Sequence, residues 1–358
     1  MLNNNVQDRK VDHLSICLNR EVESKNESTW FEYVYLVHQA LPEIDFKSVD
    51  TSVEFLGKKL SAPLLIDCMT GGPKFSREVN SILASVARDL NIGMGVGSQR
   101  AALINPELAK SFSVVREIAP EIFVMANIGG PQLSRGFNID DAKRIIEMVK
   151  ADALAVHLNP LQELVQIEGE PYYKGVFSAL EKLVSELDVP IIVKEVGCGI
   201  SREVALKLEM IGVKAINVAG LGGTSWAGVE AIRAEEMGDK YKARLGRTFW
   251  DWGIPTAASI LEVRSVTKLP IIASGGIRSG IDIAKAIALG ADLAAIALPV
   301  IRKAIKFGKD ETFSYLRGII DELKAAMFLT GALNINEMKR KRYILVGKLK
   351  DWADSLGR

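Results

Sequence analysis

The sequence predicts a (β/α)8 TIM barrel with an N-terminal extension and extra C-terminal helices, and three observations carry that expectation. Eight short β-rich apolar runs recur along the 358 residues. Most are continuous rather than alternating, as expected of parallel strands buried on both faces. Stretches of helical periodicity separate them, and strand-opening turns such as Val189-Pro190 and Leu269-Pro270 repeat, so the β-then-α units are expected to close into a barrel. A composition of 48% hydrophobic and 25% charged residues suits a large buried core.

In chain order the expected strands are 61–69, 92–98, 123–129, 153–159, 190–196, 215–220, 270–276 and 293–299. Helical periodicity is clearest over 140–150, 176–187, 202–211 and 282–289. An open doubly wound sheet is the runner-up. The glycines of Gly93-Met94-Gly95-Val96-Gly97 invite comparison with a dinucleotide fingerprint, but their spacing is GxGxG and no acidic residue ends a following strand. Residues 1–60 form the extension, 61–300 the barrel and 301–358 the C-terminal helices of a single domain. The extension has a polar, basic lead (Arg9, Lys10, Asp12, His13) and an aromatic helix-like stretch over 30–37. From Thr312 the chain reads as helices, with the basic run Lys339-Arg340-Lys341-Arg342 expected as a solvated face or subunit contact.

Charge narrows the partners. Forty-five Lys and Arg against forty-four Asp and Glu give a net +1, so no global field draws nucleic acid or an anionic membrane, and any anion must be met locally. No apolar stretch approaches the ~20 residues of a spanning helix. Residues 1–10 lack the apolar core of a signal peptide. Cys17, Cys68 and Cys198 are odd in number and lack CxxC spacing, which argues against a disulfide framework or zinc site. A cytoplasmic protein with no membrane or nucleic-acid partner is expected.

Barrel enzymes place their chemistry at the carboxyl ends of the strands. Here those ends read Met69-Thr70-Gly71-Gly72, Ser98-Gln99-Arg100, Asn127 before Gly129-Gly130, His157-Leu158-Asn159 with Gln162 and Glu163, Lys194-Glu195, Gly220 with Gly222-Gly223-Thr224, Ser274-Gly275-Gly276-Ile277-Arg278, and Ala297. The turn at Gly275-Gly276 opens onto a helix and gathers backbone N–H groups where a phosphate would sit, with Arg278 adding a charged contact. Lys194 ends a buried strand, where an ammonium needs an anionic partner or a lowered pKa. A Schiff-base lysine, a cation set against a reduced flavin, and an amine paired with Glu195 or another acid all remain open. His157 joins Asn159, Gln162 and Glu163 in a polar pocket, where Glu163 suits a Mg²⁺ carried by a diphosphate, with Arg9, Lys10 and Arg100 as candidate cations.

Arg9-Lys-Val-Asp-His13, Met69-Thr-Gly-Gly72, Gly97-Ser-Gln-Arg100, His157-Leu-Asn-Pro-Leu-Gln-Glu163, Lys194-Glu-Val-Gly197, Gly222-Gly-Thr-Ser-Trp226, Asp251-Trp-Gly-Ile-Pro-Thr256 and Ser274-Gly-Gly-Ile-Arg278 together resemble the type 2, FMN-dependent isopentenyl-diphosphate isomerases. The motifs keep the family order from residue 9 to about residue 300. The resemblance implies interconversion of isopentenyl and dimethylallyl diphosphate with FMN, NADPH as reductant and Mg²⁺, in a homotetramer or homo-octamer. It implies FMN contacts from Met69, Thr70, Gly71, Ser98, Asn127, Lys194, Thr224, Gly275, Gly276, Arg278 and Ala297. It assigns the small-molecule diphosphate substrate to Arg9, Lys10, Gln99, Arg100, His157, Asn159 and Gln162, and the metal to Glu163. Cys68 departs from the small residues usual before that methionine, and a thiol there is expected to be oxidation-prone.

Moving a double bond needs a proton onto one carbon and another off its neighbour, and an alkene is a very weak base. No carboxyl pair or catalytic cysteine stands out at the strand ends, which leaves reduced flavin as the expected proton carrier. Lys194 is expected to tune it, Gln162 to orient the alkene or relay a proton, and Trp226 to face a developing cation. Residues 222–256 are expected to act as a lid. The alternatives are a flavin oxidoreductase of the 2-hydroxy acid oxidase type, a flavin-free lyase using Lys194, and a non-catalytic barrel that binds a phosphometabolite.

Overall fold

The structure is a computed structural model that describes the backbone of residues 2–73 and 75–357 and the side chains of 9–73 and 75–357. Eight parallel strands close on themselves: β1 (Leu64–Ile66), β2 (Gly93–Gly95), β3 (Val124–Gly129), β4 (Ala153–His157), β5 (Ile191–Lys194), β6 (Ala215–Asn217), β7 (Ile271–Ala273) and β8 (Leu293–Ile296). Each pairs with the next, and β8 returns to β1 with Ala294 opposite Leu64. Every expected run contains its strand. The ladders are shorter than the runs because the strand ends peel apart into the loops that carry the site.

Alternation explains why both faces had to be apolar. Leu65, Met125, Ala153, Ala155, Ile192, Ala215, Ile272, Leu293 and Ala295 point inward and fill the barrel. Their neighbours, such as Leu64, Ile66, Val124, Leu154, Val156, Val193 and Ile216, point outward into the layer under the helices. β2 supplies glycines, because a Cβ at Gly93 would lie 2.2 Å from Leu65 and one at Gly95 would lie 2.3 Å from the Cys68 sulfur.

A hairpin of Val53–Phe55 and Lys58–Leu60 plugs the amino end of the barrel. Leu56 and Gly57 both have positive φ at its turn, which matches the twist of the two strands. The hairpin drives Phe55 and Leu60 into the interior cluster, with the Phe55 ring edge-on to Phe123 at 5.3 Å.

The expected helices occur as Ile139–Val149, Val176–Glu186, Arg202–Met210 and Gly280–Leu289. The first and last open on capping boxes, Asn138 with Asp141 and Ser279 with Asp282. No helix among the described residues is long and apolar enough to cross a membrane.

Three local expectations are corrected. The 30–37 stretch is a 3-10 turn, Phe31–Tyr33, and a strand, Val34–Leu36, which pairs antiparallel with Tyr343–Leu345 in the segment expected to be wholly helical. Its aromatic and β-branched residues favour a strand once a partner edge exists. The basic run turns partly inward, with Lys339 pairing with Asp292 at 2.5 Å and Lys341 donating to the Gly331 carbonyl at 2.6 Å. Residues 222–256 fold as packed helices, Trp226–Glu236 and Lys240–Thr248, rather than as a loop lid. A Cβ at Gly246 would meet the Ala227 carbonyl oxygen at 2.6 Å, and one at Gly228 the Trp250 ring at 2.6 Å. The element that roofs the strand ends is the first helix, Leu2–Asn19, whose carboxyl end is capped by Arg302 through the Cys17 and Arg20 carbonyls.

Phe55→Ala should empty the lower barrel and cost about 3–5 kcal/mol. Urea unfolding checks this; a loss under ~1 kcal/mol would show that the hairpin is not part of the core.

Candidate active site

The inward row of each strand continues one step past its apolar residues, and there it changes character. On β1 the step after Leu65 is Asp67; on the following strands it is Gly97, Asn127, His157, Lys194, Asn217, Ser274 and Ala297. All but the fully buried Asn217 line the floor of a cavity of about 260 Å³ at the carboxyl ends of the strands. Two hydrogen-bonded groups organise the floor. Asp67 Oδ2 accepts from Ser274 Oγ (2.8 Å) and Asn217 Nδ2 (3.2 Å) and lies 3.7 Å from Lys194 Nζ. Asn127 donates through Nδ2 to the Val96 carbonyl (3.2 Å), which turns its Oδ1 toward His157 Nδ1 (2.9 Å). The His157 proton therefore belongs on Nδ1. Burial, and then the charges of Lys194 and Lys10, lower the His157 pKa to about 3, so the ring is neutral.

Lys194 donates to the Glu195 backbone carbonyl at 2.9 Å, and its carboxylate partner is Asp67 rather than the Glu195 side chain. Glu195 Oε2 instead accepts the amides of Val196 (2.6 Å), Gly197 (2.8 Å) and Cys198 (2.6 Å). Burial outweighs those bonds and pushes its carboxyl up to about 7. Burial also raises the Cys68 thiol, which makes it a poor nucleophile and overturns the expectation of an oxidation-prone sulfur.

One wall is built from backbone packed against backbone. A Cβ at Gly275 would lie 2.1 Å from the Gly220 oxygen, at Gly276 2.4 Å from the Gly222 oxygen, and at Gly223 2.4 Å from the Gly276 nitrogen. Gly275 and Gly276 also have φ of 94° and 75°. The extension clamps this wall from outside, as Ser24 N donates to the Gly223 oxygen (2.9 Å) and Ser225 N to the Val22 oxygen (2.7 Å). The helix after β7 does not offer its amino end to a ligand as expected. Its Gly280 amide bonds Glu322 (2.7 Å), its Asp282 amide bonds Ser279 Oγ (3.2 Å), and Asp282 accepts from Arg278 N and Ser279 N (3.0 Å each). The backbone that borders the cavity on this side is the Gly275-Gly276 turn, one step earlier, and Ala297, which precedes the helix starting at Leu298 and gives it no side-chain cap. The Arg278 guanidinium borders the cavity and pairs with Glu23 at 3.0 Å.

The opposite side is cationic and polar. From the roof helix, Lys10 Nζ donates to the carbonyls of Gly71 (2.6 Å) and Ser98 (2.8 Å), tying the loops after β1 and β2 together. Burial, and then neighbouring Arg9, lower its pKa to about 7. His13 Nε2 lies 2.8 Å from Glu230 Oε1, and its ring meets Trp226 edge-on at 5.3 Å. Gln162 Nε2 donates to the same carboxylate oxygen at 3.2 Å. Asn159 Nδ2 donates to Gln162 Oε1 (3.0 Å) and Glu163 Oε1 (3.1 Å), and the Tyr173 hydroxyl donates to Asn159 Oδ1 at 3.0 Å. Glu163 Oε2 accepts the Glu170 amide at 2.8 Å, while the Glu170 side chain lies 3.5 Å from Arg100.

All the expected site residues line the cavity except Gln99: Arg9, Lys10, Met69, Thr70, Gly71, Ser98, Arg100, Asn127, His157, Asn159, Gln162, Glu163, Lys194, Thr224, Trp226, Gly275, Gly276, Arg278 and Ala297. Gln99 is fully buried in the helix layer. Its Nε2 donates to the Ile145 carbonyl (2.8 Å) and its Oε1 accepts the Asn127 amide (3.0 Å), so it supports the floor from behind rather than touching a ligand. Sequence reasoning missed Asp67 and Glu230. Counting in steps of two from Leu65 would have found the first. Glu230 is 1% exposed among small residues on one helix face, with Ala227, Ala231 and Ala234 at helical spacing, and an acid in that stripe is a signal. Among the described residues no three His, Cys, Asp or Glu side chains gather as a metal cage. A lone Glu163 fits a Mg²⁺ that takes most of its ligands from phosphate and water.

Lys10 should take up a proton when an anion binds. Calorimetry with inorganic pyrophosphate at pH 8 in buffers of different ionisation enthalpy should show uptake approaching one proton, with affinity falling by up to about tenfold per pH unit above 7. Lys10→Met should abolish the uptake, and persistence of uptake in that variant would remove Lys10 as its source.

Comparison with known proteins agrees with this geometry. Residues 141–345 match the FMN-dependent dehydrogenase family. Isopentenyl-diphosphate delta-isomerase of Archaeoglobus fulgidus is 50% identical over 353 residues, covering 98% of this chain and 99% of that one. The protein of the same name from Methanosarcina barkeri is 49% identical, covering 98% and 94%, and that from Thermococcus onnurineus 47%, covering 97% and 93%. Among solved structures, a mandelate oxidase with 2-hydroxy-phenylacetamide superposes with a TM-score of 0.63 at 17% identity, covering 96% of this chain and 98% of that one. A mandelate oxidase with an FMN adduct gives a TM-score of 0.59 at 17% identity, covering 94% and 95%. At that identity the likeness shows the fold alone.

Proposed function

The chain belongs to the isopentenyl-diphosphate delta-isomerases, built on an FMN-dependent dehydrogenase barrel, and we propose that its cavity holds FMN and a diphosphate side by side. The activity is the interconversion of isopentenyl and dimethylallyl diphosphate, and FMN is the cofactor. The observation that supports this use of the cavity is its two separate walls suited to anions, the glycine turns after β6 and β7 together with Ala297 after β8, and the Arg9, Lys10 and Arg100 side. A single phosphometabolite needs one such wall; a phosphorylated cofactor and a diphosphate substrate need two.

In this reading Thr224, Gly275, Gly276, Arg278 and Ala297 receive the cofactor phosphate. Met69, Thr70, Gly71, Ser98, Asn127 and Lys194 face its ring system from the floor and the first two loops. Bound and reduced, FMN supplies a proton donor and acceptor with no net redox change. Arg9, Lys10, Arg100, His157 and Asn159 hold the diphosphate, and Glu163 shares a Mg²⁺ with it. Gln162 is fixed at both ends of its amide, by Asn159 and Glu230, so it orients the alkene without adding conformational freedom. Trp226 turns an aromatic face to positive charge developing on carbon. The roof helix keeps water from that charge. NADPH as reductant, a homotetramer or homo-octamer, a single domain over 1–358 and a cytoplasmic setting complete the proposal; the free state of Cys17, Cys68 and Cys198 supports the last.

The alternatives lose support from particular groups. A 2-hydroxy acid oxidase needs a strongly basic histidine, and burial lowers the His157 pKa to about 3, which makes that ring a weak base. A Schiff-base lyase needs a free amine, and Lys194 faces Asp67.

Anaerobic incubation with FMN, dithionite, Mg²⁺ and isopentenyl diphosphate should yield dimethylallyl diphosphate by chromatography, and oxidised FMN should yield none. Tight FMN binding without isomer formation would sink this use of the cavity. Glu163→Gln should raise the Mg²⁺ concentration for half-maximal rate by about 10–100-fold, and an unchanged Mg²⁺ dependence would place the metal elsewhere.

A further inference from the structure

The floor carries a carboxylate to which the reaction gives no task. Asp67 is 3% exposed and lines the cavity from the first inward position above the apolar interior of β1. Its Oδ1 accepts the Cys68 amide at 2.7 Å, and its Oδ2 gathers Ser274 Oγ (2.8 Å), Asn217 Nδ2 (3.2 Å) and, at 3.7 Å, Lys194 Nζ. These groups come from the ends of β7, β6 and β5, so the carboxylate is held from across the barrel. A charge so placed has one electrostatic consequence. Lys194 is also buried, so Asp67 offsets its ammonium at short range where solvent screens little. The Glu195 carboxyl next door also feels the Lys194 charge, but its Oε2 is turned onto the three amides that follow it and it makes no ion pair with the amine.

We propose that Asp67 is a positioning residue for Lys194, a counter-ion that anchors the ammonium at the cavity floor and sets how much positive charge the bound flavin meets. The proposal rests on the reading of Lys194 as the cation facing the flavin. A lone ammonium there would favour the anionic reduced cofactor strongly; the paired one favours it less, which leaves both oxidation states bound.

The test is an anaerobic titration at pH 7 of wild type, Asp67→Asn and Lys194→Met with oxidised and with dithionite-reduced FMN, comparing the ratio of the two dissociation constants. Asp67→Asn should raise the preference for reduced FMN about tenfold or more, which for a two-electron couple is about 30 mV in potential. Lys194→Met should lower it by a similar factor, and Asp67→Glu, which restores the charge, should return it most of the way to wild type. Should Asp67→Asn fail to fold, Asp67→Ser carries the same expected sign. Equal weakening of both oxidation states in the Asp67 variants would mean a purely structural role and overturn the proposal, as would a fall in the preference. A rise in Asp67→Asn with no change in Lys194→Met would overturn the route through Lys194. A wild-type protein that binds no FMN would overturn the cofactor reading beneath it as well.

Discussion

Side chains on a strand alternate, and a closed barrel of parallel strands turns that alternation into a constraint on where polar chemistry can go. Outward positions lie under helices and inward positions fill the barrel, so neither tolerates a charge along most of the strand. Only the last inward position before each loop borders space. In this protein those positions carry Asp67, Asn127, His157, Lys194 and Ser274, with Asn217 fully buried among them, and all are hydrogen-bonded to one another or to neighbouring backbone. The site is thus the terminal layer of the core, made of different residues but obeying the same packing rule. Its rigidity comes from the apolar layers beneath, which share its strands.

The walls above the floor obey a different logic. The loops after β6 and β7 approach so closely that glycine is required at Gly223, Gly275 and Gly276, and the Thr256 and Ser24 hydroxyls staple this backbone contact from behind. The opposite wall is held by side chains, through Lys10 on two carbonyls and Asn159 on its neighbours. Arg233 joins the roof to the barrel by binding Asp12 at 3.1 Å and Glu168 at 2.7 Å. One side of the cavity is therefore set chiefly by backbone packed on backbone, and the other can open only by breaking ion pairs and hydrogen bonds.

The eight strands were legible because buried parallel strands leave continuous apolar runs, and the site residues because they stand at the ends of those runs. The illegible parts have physical causes. The strand at Val34–Leu36 exists only because Tyr343–Leu345, at the far end of the chain, offers it an edge, and local patterning carries no record of a remote partner. Gln99 sits between Ser98 and Arg100, which do reach the cavity, and a one-residue change of facing sends it into the helix layer. Asp67 is hidden for the opposite reason: it still belongs to the inward row of β1, inside an apolar run that reads as core, and stands just short of the loop where polar residues are expected. The helix after β7 was expected to cap an anion, but its amides are satisfied by Ser279, Asp282 and Glu322, the last of which lies 42 positions further along the chain.

The clamp between residues 22–24 and 222–225 bears on how the protein is born. Gly222 and Ser24 are 198 positions apart, yet their bond helps hold the glycine wall of the cavity. At ~5–20 residues per second a ribosome takes roughly 10–40 s to span that interval. β1 waits longer still, for β8. The nascent chain thus carries the roof helix and the first half of the floor well before it has anything to cover or close upon. Cofactor capture belongs to the end of synthesis, and a chain truncated before β8 is left with the apolar edge of an open sheet instead of a weaker enzyme.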